Sequence, residues 1–166
     1  MVIKRLLLFV LCMTMTAETI FAQEESESGQ DVWLCPFGEV LMYSISSPSF
    51  GGGLSFGYGS GVSIGIKAAF FIDLESLSTI EITFLLRAYF LGANAYSGPF
   101  LQLSVGPSLF FKPDDSLTVP SELGMISAGL GFGWRFLLKN RWFIEPAIRG
   151  GYPFIAGGGF SAGVRF

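Results

Sequence analysis

From Val62 onward, the chain alternates between one parity that carries no charge and one that carries nine charges. In Val62–Asp73, residues Val62, Ile64, Ile66, Ala68, Phe70 and Ile72 share a face, and Lys67 and Asp73 lie on the other. The rule holds through Ile80–Phe90, Phe100–Lys112, Ile126–Leu137, Trp142–Tyr152 and Phe160–Phe166, where Glu81, Arg87, Lys112, Arg135, Glu145, Arg149 and Arg165 all fall on the second parity. Period two is the signature of a strand, because successive side chains point to opposite faces of a sheet. A helix would scatter Glu81 and Arg87 without order around its cylinder. Two weaker runs, Val40–Ser46 and Gly53–Gly59, precede these and bring the total to eight. In Val40–Ser46 the apolar side is Leu41, Tyr43 and Ile45, and Glu39 shares that parity.

The charged parity is not uniformly hydrophilic. It mixes charge with Gly, Ser and the bulky Phe71, Leu85, Tyr89, Phe100, Phe110 and Phe143. A soluble sandwich alternates too, but with a wetter outer face. A packed, narrow lumen needs this mixture, and a lipid-facing exterior needs the other face. Composition agrees: charged residues make up 14% and mean hydropathy is +0.56, against roughly 25% charged in an ordinary soluble domain. Helical spans fit poorly, because Arg87, Pro99 and repeated Gly interrupt the most apolar stretch, Phe84–Phe111. The expected fold is therefore all-β, an antiparallel up-and-down transmembrane β-barrel of eight strands, with short turns at one end and longer loops at the other. The longer set is Pro48–Gly52, Asp73–Ser78, Lys112–Glu122 and Pro153–Gly157.

Residues 1–22 read as a secretory signal peptide: a basic start with Lys4 and Arg5, an apolar core from Leu6 to Met13, and Ala22 as a cleavage position. Residues 23–37 form a polar N-terminal leader, and 38–166 the barrel. Without the signal, eight basic and twelve acidic residues remain, a net charge of −4. That composition offers no basic patch for nucleic acid. Only Cys35 remains after cleavage, so no internal disulfide is available.

Little in the chain suggests chemistry. There is no His, which removes most hydrolase triads and the commonest metal ligand. The glycine clusters Gly51–Gly53, Gly129–Gly133 and Gly157–Gly159 lack the Lys-Ser/Thr and following helix of a phosphate loop. Lumen glycine has a simpler use, letting the wall curve under a neighbouring aromatic ring. Glu81 with Arg87, and Glu145 with Arg149, could be read as acid and base groups. Charges in a packed lumen must also find partners, so Lys67, Glu81, Arg87, Arg135, Glu145 and Arg149 are expected to form a structural ion-pair network. No catalytic, metal-binding or cofactor-binding residues are assigned. Phe90, Trp134, Phe136 and Trp142 should form an aromatic girdle near the turn end.

The segment Trp142–Phe166, WFIEPAIRGGYPFIAGGGFSAGVRF, resembles the last hairpin of small outer-membrane barrels, ending on an alternating strand with terminal Phe166. Phe100–Phe111 and Gly129–Phe136 resemble their middle strands. The likeness is to the opacity-protein, OmpA-like and OmpX-like group and covers about residues 38–166. It implies a Gram-negative-type outer membrane, contact with outer-membrane lipid, and insertion by the barrel assembly machinery. Phe160, Val164 and Phe166 would then carry the assembly signal. It implies no single activity and no particular extracellular partner. A structural or surface-interaction scaffold, non-enzymatic, is the expected role, with a narrow channel for small or hydrophobic solutes as the alternative.

Overall fold

A computed structural model describes residues 32–43, 48–73, 78–90, 97–111, 124–138 and 141–166. The signal peptide and the loop Lys112–Glu122 lie outside the described residues, as does the leader up to residue 31. Eight strands follow one another: β1 (Val32–Met42), β2 (Pro48–Gly59), β3 (Val62–Asp73), β4 (Ser78–Tyr89), β5 (Gly98–Phe111), β6 (Gly124–Leu138), β7 (Trp142–Tyr152) and β8 (Ala156–Arg165). Each pairs antiparallel with the next. β1 closes on β8, from Trp33 opposite Arg165 to Met42 opposite Ala156. Closure leaves no open edge, the condition a sheet must meet in hydrocarbon.

The period-two faces become outside and inside. Ile64, Ile66, Phe84, Leu86, Leu103, Leu130 and Ile148 are all exposed on the outer wall. Lys67, Glu81, Arg87, Arg135, Glu145 and Arg149 are buried inside. In water each large outer side chain would forfeit about 1.5–3 kcal/mol of burial. A soluble binder with an apolar interior would have these faces reversed.

Three expectations need correction. β1 begins at Val32, so the leader boundary at 37/38 falls within a strand. β2 begins at Pro48, so Pro48–Gly52 is strand rather than loop. The two barrel ends also differ less than expected. The near end, where the first and last strands begin and finish, has connections 60–61, 90–97 and 139–141. The far end has 43–47, 74–77, 112–123 and 153–155, of which only 112–123 is long. The tightest connection needs glycine: Gly59 sits at φ 126°, which L side chains rarely adopt.

Candidate functional site

The lumen holds every buried charge among the described residues, in two clusters at different heights. In the half nearer the far end, Lys67 from β3 donates to Glu39 of β1 at 2.5 Å. The Arg149 guanidinium from β7 bridges Glu39 through Nε and Glu81 of β4 through Nη1, the latter at 2.8 Å. In the half nearer the near end, Arg87 of β4 reaches across to Glu145 of β7 at 3.0 Å and donates to Gln102 of β5 at 2.7 Å. Arg135 of β6 donates to the same Glu145 through Nε. Ser161 of β8 adds a hydroxyl to Glu145 at 3.3 Å. Five ion pairs thus tie together β1, β3, β4, β6 and β7, mostly across the tube rather than along the wall.

These partners differ from those suggested by proximity in sequence. Glu81 pairs with Arg149 and Arg87 with Glu145. Glu81 and Arg87 are six residues apart on one strand, roughly 20 Å at the rise of a β-strand. Glu39 is a member the sequence reading missed. It lies on the same parity as Leu41 and Tyr43, and that parity faces inward: Leu41 is fully buried, while Val40 and Met42 are exposed.

Apolar side chains cap both clusters. At the near end Trp33, Cys35, Leu85 and Phe143 pack together, with Leu137 against them. Towards the far end Leu41, Ala69, Phe71 and Phe154 pack together, with Phe37 and Tyr43 alongside. The rings have room because the facing wall is glycine. A Cβ on Gly57 would lie 2.2 Å from the Trp33 ring, one on Gly163 2.3 Å from Phe143, and one on Gly133 2.4 Å from Phe100. Phe71 over Gly51 and Phe154 over Gly129 repeat the arrangement in the other half. Between the caps lies a cavity of about 50 Å³, lined by Glu39, Lys67 and Arg149 on one side and Arg87, Gln102 and Glu145 on the other. It has room for about three waters.

The aromatic residues outside the barrel occupy neighbouring strands near one end. Trp134 and Phe136 stack with centroids 5.9 Å apart. Trp142, opposite Leu138, and Phe90, hydrogen-bonded to Pro99, expose their rings at the same end. Phe160 is exposed on the outer wall, while Val164 and Phe166 are half-buried at the near end of the β1–β8 seam.

No protein-family model matches this chain, and no curated protein matches it. Solved structures do. The N-terminal β-barrel domain of Pseudomonas aeruginosa OprF aligns with a TM-score of 0.58 at 16% identity, covering 82% of this chain and 97% of that one. Neisserial surface protein A (NspA) aligns at 0.54 and 18% identity, covering 85% and 98%. The outer membrane protein OprG from Pseudomonas aeruginosa aligns at 0.56 and 13% identity, covering 83% and 96%. The likeness is one of fold: this chain has the eight-stranded antiparallel barrel of small outer-membrane proteins.

Proposed function

We propose that the chain is an outer-membrane β-barrel of a Gram-negative-type bacterium, acting as a non-enzymatic structural or surface-interaction scaffold rather than a pore. The observation that carries this reading is the doubly capped lumen. Ion pairs cross the tube in both halves, and apolar clusters lie beyond them. An eight-stranded barrel has an interior that side chains can fill completely. The uncharged outer wall supports contact with outer-membrane lipid, with Phe90, Trp134, Phe136 and Trp142 at one membrane boundary. Insertion by the barrel assembly machinery, with Phe160, Val164 and Phe166 as the signal, belongs to the same proposal. The short far-end connections leave segment 112–123 as the principal surface for a partner.

Purified protein in a planar bilayer tests the choice between scaffold and channel. The expected result is no resolved current steps. Stable open steps would establish the narrow channel instead. Membrane embedding has its own check. Ile66→Arg, on the outer wall, should cost about 2–4 kcal/mol in lipid if it lies near the midplane. An unchanged unfolding midpoint would place that face in water.

A further inference from the structure

The near-end cluster is short of one negative charge. Counting the described side chains that are less than a tenth exposed, the far-half cluster has Lys67 and Arg149 against Glu39 and Glu81. The near-half cluster has Arg87 and Arg135 against Glu145 alone. Arg135 is 3% exposed, and its Nη2 has no hydrogen-bond partner. The guanidinium lies 5.3 Å from the Trp33 ring centroid and 5.0 Å from that of Tyr89. The Trp33 Nε1 and the Tyr89 hydroxyl are likewise buried without a partner. Three side chains in mutual contact therefore each keep a bare donor, beside the one uncompensated buried cation.

A buried charge without a counter-charge is expensive, as is each unpaired donor. Water would satisfy the donors but not the charge. We propose that the lumen around Arg135, Trp33 and Tyr89 binds one small monovalent inorganic anion of the halide class. The anion accepts from Nη2, Nε1 and the phenol, and it neutralises the near-half cluster. Tyr89 and Leu137 are only half-buried, which gives access from the near end. The far-half cluster, already balanced, has no such site.

Bromide is the probe. Crystals of the full chain grown with sodium bromide should show an anomalous peak within hydrogen-bonding reach of Arg135 Nη2. In solution, a Trp134→Phe/Trp142→Phe protein keeps Trp33 as its one lumen tryptophan. Its fluorescence should be quenched saturably by bromide at ionic strength held constant with a bulky sulfonate. Adding Arg135→Met should remove the saturable part. For a site half-filled near 10 mM, raising bromide from 1 to 100 mM should stabilise the folded form about tenfold. A peak absent from the lumen, or quenching that is linear and unchanged by Arg135→Met, overturns the proposal and leaves water as the occupant. The diffraction arm needs no variant, so a misfolded Arg135→Met protein does not block the test.

Discussion

The two halves of the lumen solve one problem with different materials. The far-half cluster balances two cations with two carboxylates, and rings add to it: Phe37 lies 4.3 Å from Lys67 Nζ and Phe154 4.3 Å from the Arg149 guanidinium. The near-half cluster has two guanidiniums on one carboxylate, and there the rings crowd in. Arg87 lies over Trp33 at 4.6 Å and Phe100 at 4.9 Å; Arg135 lies over Phe143 at 4.0 Å, with Trp33 and Tyr89 beside it. A desolvated cation–π contact contributes about 2 kcal/mol, less than a buried carboxylate partner. The arrangement suggests that aromatic faces and charge balance are partly interchangeable inside a narrow barrel. Their unequal use makes the halves unequally sensitive to loss of a single charge.

The largest effect should follow from Glu145→Gln. That carboxylate is the sole acidic partner of Arg87 and Arg135 among the described residues. Losing it strands two buried cations, at a cost of about 3–5 kcal/mol, read by urea unfolding in detergent or lipid. Adding Arg135→Met to Glu145→Gln should recover part of this, because one stranded charge is removed. The coupling should be roughly 0.5–3 kcal/mol. Strict additivity would mean that the two side chains do not share one electrostatic site.

Lys67→Met is the corresponding test in the balanced half. It leaves Glu39 and Glu81 sharing Arg149, so a buried negative charge replaces neutrality. Glu39 keeps one partner, and the expected cost is about 1.5–3 kcal/mol. A loss as large as that from Glu145→Gln would show that balance matters equally in both halves.

How much of this was legible in the sequence follows from what alternation encodes. Parity reports which side of the wall a residue occupies, and from Val62 onward that was enough to place six of the seven buried charges inside. It failed at β1 for a physical reason. The inward residues Trp33, Cys35, Phe37 and Leu41 belong to or pack with the two apolar caps, and the outward Leu34, Val40 and Met42 are apolar too. The contrast between faces vanishes there, and Glu39 appeared to lie on the wrong side. Partner choice was also hidden, because strand tilt and closure set the heights at which charges meet across the tube. Nothing local in the sequence brings Arg149 to Glu81, 68 positions away.

The smallest effect should come from Arg135→Met, although Arg135 is among the most buried charges. Methionine keeps a flexible apolar stem against Phe143 and Trp33. Glu145 remains satisfied: Arg87 Nη1 approaches both of its oxygens, at 3.0 and 3.3 Å, and the Ser161 hydroxyl contacts one. The near-half cluster then holds one cation and one carboxylate, the ratio already present in the far half. Exchanging a buried charge for a well-packed apolar group is often neutral when no partner is stranded. The change should therefore cost no more than about 1 kcal/mol, the cation–π contacts being the part lost. Measured in buffer free of small anions, it should be milder than Lys67→Met. If Arg135→Met were instead the more damaging of the two, ring contacts rather than charge balance would set the stability of the near half.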